Sequence, residues 1–188
     1  MRPGGEIDVV RAADLTEEEL RALRLGGGEW LLVECPLRQS AADAFELIVR
    51  ALQSRGHRVV LAHPERSPLM RRRPRLLASL VEDGMLSSIT AGSLAGRFGT
   101  EIREVAIGLL EAGLAHNVTS DAHNAMQRPP GLRDEILGVA DELPGIEEQL
   151  DWLTLDVPAA VLGGGGIPAR PGGRLQRRRK RRWALQRR

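Results

Sequence analysis

The 188-residue sequence predicts an α/β fold built on a parallel sheet, with the active-site edge of an α/β barrel at the C-terminal ends of its strands. Three observations carry that prediction. Short apolar runs alternate with segments of helical period, the connections are short, and several of the apolar runs stop abruptly at a carboxylate or a histidine.

Entered through Gly4-Gly5, Glu6 to Arg11 reads as a strand because Ile7, Val9 and Val10 are β-branched. Asp14 to Leu25 reads as a helix. Thr16 and Glu19 make a capping box, Leu20 and Leu23 form the apolar side, and Gly26-Gly27-Gly28 ends it. Trp30 to Val33 is a second strand and runs into Glu34. Ala41 to Arg55 repeats apolar positions at Ala44, Leu47, Ile48, Ala51 and Leu52, an amphipathic helix closed by Gly56.

The cycle then recurs. Arg58 to Ala62 is a strand ending at His63, followed by a basic loop and a helix over Pro74 to Asp83. Leu86 to Thr90 is a strand feeding the turn Ala91-Gly92-Ser93-Leu94, and Glu101 to Ala112 is a helix stopped by Gly113. Ala115 to Thr119 is the last strand and leads into Ser120-Asp121-Ala122-His123-Asn124. Leu132 to Leu143 and Ile146 to Leu153 read as helices, and Pro158 to Leu162 as a short turn or helix. Residues 1–162 therefore form the domain, 163–173 a flexible Gly/Pro linker and 174–188 an arginine-rich disordered tail.

Composition narrows the class. With 42% hydrophobic but only 3% aromatic residues, the core is aliphatic. One cysteine rules out an internal disulfide and suits a reducing compartment. Met1 to Gly5 is no signal peptide, and no apolar run approaches the roughly 20 residues of a membrane span, so a cytoplasmic protein is expected. The net charge of +2 conceals an asymmetry: 174–188 hold nine of the 27 basic residues and no acid, leaving 18 basic against 25 acidic residues before them.

The strand-end residues with metal-ligand chemistry are Glu6, Glu34, His63, Asp121 and His123. Mixed oxygen and nitrogen donors without thiolate suit manganese, iron or zinc in a hydrolytic site better than a structural zinc. Two or three such ions activate water near neutral pH and clamp a phosphate oxygen. Singly, each residue has an ordinary explanation, with Glu6 and Glu34 as rim carboxylates and His63 as a turn histidine. Their common position at one sheet edge favours the metal site. Cys35 is followed six residues on by Ala41, not by the arginine a cysteine-dependent phosphatase requires, and Ser93 has no base near it in sequence.

Gly5-Glu6-Ile7, Leu32-Val33-Glu34-Cys35-Pro36, Ala62-His63-Pro64-Glu65-Arg66, Thr90-Ala91-Gly92-Ser93-Leu94 with Phe98-Gly99, and Ser120-Asp121-Ala122-His123-Asn124 stand in a recognisable order. Together they resemble the PHP (polymerase and histidinol phosphatase) superfamily, in particular the bacterial CpsB/YwqE-type tyrosine-protein phosphatases of capsule and exopolysaccharide synthesis, from about Gly4 to Pro168. The resemblance implies a (β/α)7-type barrel with a multinuclear centre, usually manganese, that hydrolyses phosphotyrosine on a partner kinase. It implies Glu34, His63, Asp121, His123 and Glu6 as metal ligands, and Arg66 and Arg128 as holders of the phosphate. From the residues alone, Arg66 has a competing role as an ion-pair partner of Glu65 or another acid, and Arg128 as a solvated loop residue.

An Asp-x-His-x-His block and a further histidine that stand ahead of the segment matching Glu6 in that family have no counterpart here, and His57 and His116 are not placed to substitute. The expectation is a partial barrel lacking its first βα units, with weakened metal binding and impaired turnover. Alternatives are a phosphoesterase for a small phosphate ester, or an inactive kinase-binding module. A kinase partner would bring the protein to the inner face of the membrane. The arginine-rich tail, with Trp183 and Leu185 interleaved, is either solvated or a contact for anionic lipid or nucleic acid.

Overall fold

A computed structural model describes residues 2–38, 41–124, 126 and 130–178. Its centre is a five-stranded, wholly parallel sheet in which β1 (Glu6–Asp8), β2 (Trp30–Glu34), β3 (Arg58–Ala62), β4 (Leu86–Thr90) and β5 (Asn117–Thr119) lie side by side in chain order. Sequential order is the wiring of a barrel wall, and among the described residues the wall is open, with β1 and β5 at its edges.

Parallel register decides which side chains share a face. Glu6 lies opposite Leu32, Asp8 opposite Glu34, Glu34 opposite Ala62, Ala62 opposite Ser88, and Thr90 opposite Thr119. These residues line the inner face. The alternate set, Ile7, Leu31, Val33, Val59 and Leu61, packs outward against α3 (Ala42–Ser54) and α5 (Pro74–Glu82), burying Phe45, Val49, Leu52, Leu76, Leu77 and Leu80. The buried stripe of α3 is thus Ala42, Phe45, Val49 and Leu52. Leu47, expected on the apolar side, points outward at 74% exposure. A second core cluster joins Trp30, Val60 and Leu86 to Val157 and Val161 of α9 (Val157–Gly163) and continues around β5 through Ala106, Ile107 and Leu110 of α7 (Thr100–Glu111). Between α9 and the inner face lies a largely apolar cavity of about 300 Å³.

The structure redraws several expected elements. The first strand stops at Asp8, not Arg11, because the Asp8 carboxylate accepts the Val10 N–H at 2.8 Å and caps the short α1 (Val9–Ala12). The capping box forms as read: Thr16 and Glu19 exchange hydrogen bonds at the start of α2 (Glu17–Leu23). In the basic segment after β3, a 3-10 turn Pro64–Arg66 leads into α4 (Pro68–Arg72). Ala91 to Leu94 is a single turn of helix, α6.

The expected helix from Leu132 to Leu143 is helical only as α8 (Arg133–Leu137), after which Gly138 begins a series of turns. Beyond the 3-10 turn Glu147–Gln149, a wide π turn Trp152–Asp156 feeds directly into α9. Pro158 fits there because the first turn of a helix needs no N–H from it.

The Gly/Pro segment expected as a flexible linker lies against the body. The Trp152 indole N–H donates to the Pro168 carbonyl at 2.9 Å, the Arg170 guanidinium stacks on the Trp152 ring and donates to the Ala115 carbonyl, and Leu175 is buried. Arg177 pairs with Glu104 and Glu142. The remainder of the arginine-rich tail, 179–188, lies outside the described residues.

Candidate metal centre

The site sits at the C-terminal end of the sheet, where alternation brings carboxylates onto the inner face. Glu6 and Asp8 are two apart on β1, and Glu34 ends β2 directly opposite Asp8. His63 follows β3 immediately, anchored by its own N–H to the Ser88 carbonyl at 2.8 Å. Its backbone takes a left-handed conformation, φ +35°, which turns the imidazole toward the two acids. Asp121 also takes a left-handed conformation, φ +49°; the only non-glycine residues with positive φ among the described residues are these two candidate ligands.

Oxygen and nitrogen atoms of Glu6, Glu34 and His63 lie within 4.8 Å of one another. His63 Nε2 is 2.9 Å from Glu6 Oε1 and 3.5 Å from Glu34 Oε1, so one nitrogen faces both acids. The imidazole is buried, and its Nδ1 has no hydrogen-bond partner among the described residues. The two carboxyls are held differently. Glu6 is lowered from its ordinary pKa, chiefly by the hydrogen bond to His63, whereas burial raises Glu34. A compact set of two carboxylates and one imidazole, without thiolate, fits a divalent cation of the manganese, iron or zinc type. The cysteine adjacent to Glu34 takes no part: Cys35 is fully buried on the outer core, and burial pushes its thiol well up.

Arg66, Asp121 and His123 complete the rim. Arg66 does not pair with Glu65; its Nη1 donates to Asp121 Oδ2 at 2.8 Å. β5 ends at Thr119, so Asp121 and His123 do not share a strand face. His123 turns outward to 56% side-chain exposure, with Nδ1 2.9 Å from the Asp121 carbonyl oxygen and 3.7 Å from Oδ1. An open cleft of about 260 Å³ is lined by Glu6, Glu34, His63, Arg66, Asp121, His123 and Asp8. All the expected site residues within the described chain thus meet in one place, while Arg128 lies outside the described residues.

Two residues were missed in sequence. Asp8 was legible as the i+2 neighbour of Glu6 on one face of β1. Glu65 gave no such signal: its fully buried carboxylate accepts the Thr90 N–H at 2.9 Å and the Ser93 hydroxyl at 2.7 Å, tying the turn after β3 to the end of β4. His57 is buried and His116 half-buried, and neither lines the cleft. His57 lies between Arg24 and Glu17, and the His116 ring accepts the Ser87 N–H.

Comparison with known proteins identifies the lineage. The family model described as "Capsular polysaccharide synthesis, CpsB/CapC" matches residues 1–162. The chain belongs to the CpsB/CapC family. It is 40% identical over 126 residues to the tyrosine-protein phosphatase YwqE of Bacillus subtilis (strain 168), a match covering 67% of this chain and 49% of that protein. With CapC of Staphylococcus aureus it is 34% identical over 123 residues, covering 64% and 48%. Among solved structures, one from a study of YwqE from Bacillus subtilis and CpsB from Streptococcus pneumoniae, described there as metal-dependent tyrosine phosphatases, superposes with a TM-score of 0.73 at 31% identity. That match covers 94% of this chain and 70% of the other. The chain spans about half the length of the sequence relatives it matches. The five-stranded parallel sheet and its surrounding helices thus match the fold of that solved structure.

Proposed function

We propose that this chain carries a metal-dependent protein-tyrosine phosphatase site that hydrolyses phosphotyrosine on a kinase regulating capsule or exopolysaccharide synthesis, with manganese as the working metal. The observation that carries the reading is the convergence of Glu6, Glu34 and His63 with Arg66, Asp121 and His123 around one open cleft. The family description supports the polysaccharide setting, and the names of YwqE and its solved relative support the phosphotyrosine chemistry.

In this reading Glu6, Glu34 and His63 would hold one ion, and Asp121 and His123 could contribute to a second. A bound ion would supply Lewis acidity and lower the pKa of water at the cleft. The protein's own contribution is positional. Arg66, charged at any working pH, offers a planar fork that matches two phosphoryl oxygens. Asp121 keeps that guanidinium at the cleft. The phenolate leaving group of tyrosine, with a pKa of about 10, needs little help from an acid. No helix among the described residues is long and apolar enough to cross a membrane.

The test is hydrolysis by the purified chain, with manganese, of a phosphotyrosine peptide beside histidinol phosphate and a nucleoside monophosphate. Manganese-dependent release of phosphate from the peptide in preference to the small esters is expected. Preference for a small ester would replace the substrate assignment, and release from none of the three would remove the catalytic reading.

A further inference from the structure

The Arg66 guanidinium is held on two sides. Its edge meets Asp121 at 2.8 Å, and its face lies over the Phe98 ring, with Cζ 4.5 Å from the ring centroid. Phe98 belongs to the loop joining α6 to α7, and nothing in the chemistry proposed above requires an aromatic there. The loop is well anchored. Arg97 pairs with Glu135 of α8, Arg103 of α7 donates to the Leu94 carbonyl at 3.0 Å, and Gly96 and Gly99 take the positive φ values, +78° and +95°, that the tight path demands. The Gly92 backbone lies against the same ring: a Cβ built there would stand 3.5 Å from Phe98 Cε2. The buried Glu65 carboxylate, beside Arg66 in sequence, bonds to Thr90 and Ser93 at the start of the segment that leads to Phe98. Arg66 and Phe98 are therefore carried on two segments tied together in the protein interior.

We propose that Phe98 is a positioning residue for the phosphoryl group: its ring fixes the plane of the Arg66 guanidinium, so that the fork is already oriented when the phosphate of a phosphotyrosyl substrate arrives. This rests on the phosphatase reading above. An arginine side chain gives up considerable rotamer freedom when it orders on a ligand, and a ring already stacked on its face removes part of that cost. The stacking itself is favourable for a partly desolvated guanidinium. Because the ring acts through the Arg66 guanidinium, its contribution belongs to phosphate affinity and KM more than to kcat.

The experiment measures the affinity of the manganese-loaded chain for inorganic phosphate, together with KM and kcat on a phosphotyrosine peptide, for wild type, Phe98→Leu, Phe98→Trp, Arg66→Ala and the double variant Arg66→Ala/Phe98→Leu. Phe98→Leu keeps an apolar side chain of similar size but removes the π face. It should weaken phosphate binding about two- to thirtyfold and raise KM by a similar factor while kcat and manganese affinity hold. Phe98→Trp should stay within about threefold of wild type. In the Arg66→Ala background, Phe98→Leu should cause no further loss, which a purely structural role would not reproduce. Phe98→Leu binding phosphate like wild type, or losing as much with Arg66 absent as with it present, overturns the proposal. A chain that binds phosphate in a Phe98-dependent way but releases none from the peptide supports the positioning role and sinks the phosphatase reading. A chain that binds no phosphate sinks both.

Discussion

Arg66 Nη1 stands 2.8 Å from Asp121 Oδ2, joining the turn after β3 to the turn after β5 across the end of β4. Both side chains are mostly buried, at 17% and 12% exposure, so the pair is shielded from the screening that weakens surface ion pairs. It places a cation at the rim of an otherwise acidic cleft, where an anionic substrate needs one. Arg66→Lys keeps the charge and loses the planar fork. It is expected to lower kcat/KM on a phosphotyrosine peptide about ten- to hundredfold while leaving manganese affinity near wild type. Lysine performing as well as arginine would show that the site uses only a point charge.

His63 presents its imidazole to Glu6 and Glu34 from a left-handed backbone, so a substitution there must separate ligand loss from backbone strain. His63→Asn does this, because asparagine tolerates that conformation better than most residues. Manganese affinity should fall by more than the roughly tenfold to hundredfold that loss of a supporting hydrogen-bonding group costs, while the metal-free unfolding free energy changes by less than about 1 kcal/mol. Manganese should also raise the thermal midpoint of wild type and not of the variant. An equal rise in both would place the ion elsewhere.

Glu65 is the buried carboxylate that ties the Arg66 turn to β4, and burial raises it from its ordinary pKa. Glu65→Gln preserves an acceptor for the Thr90 N–H and the Ser93 hydroxyl and should cost less than about 1 kcal/mol. Glu65→Ala strands both donors and opens a cavity, and should cost about 2–4 kcal/mol in denaturant unfolding. Equal losses in the two variants would mean that the negative charge, not the hydrogen bonds, holds the turn.

His116 supplies a pH dependence remote from the metal cluster. Burial, with a smaller contribution from Arg170, lowers its pKa to about 4. Below its unfolded value of about 6.5 the unfolded chain takes up a proton before the folded chain does, so stability falls as pH drops from about 6.5 to about 4. The loss from this group should reach on the order of 3 kcal/mol near pH 4. His116→Asn retains an acceptor for the Ser87 N–H and should flatten that slope when unfolding free energies at pH 7 and pH 4.5 are compared. The same slope in both proteins would assign the acid sensitivity to other groups.

Much of the fold was legible because its signals are local. Arg58 to Ala62 and Leu86 to Thr90 are strands with the bounds read from their β-branched and apolar runs, and Thr16 with Glu19 forms the capping box its spacing announced. The readings failed where a single side chain or a distant packing partner outweighed propensity. Asp8 turned Val9 and Val10 from strand to helix, the stripe through Phe45 and Val49 outcompeted the one through Leu47, and the segment after Gly163 found Trp152 to pack on. The candidate ligand types were likewise readable, as acids and histidines at the ends of apolar runs. Which of them lie within reach of one another depended on the third dimension. Parallel register set Asp8 opposite Glu34 and left Glu6 on the same face, positive φ at His63 aimed its imidazole at both Glu6 and Glu34, and positive φ at Asp121 delivered its carboxylate to Arg66 while His123 swung outward. Residue types and their periodicity record what each segment is able to do, whereas distances between segments arise only when the sheet and its helices close on a common core.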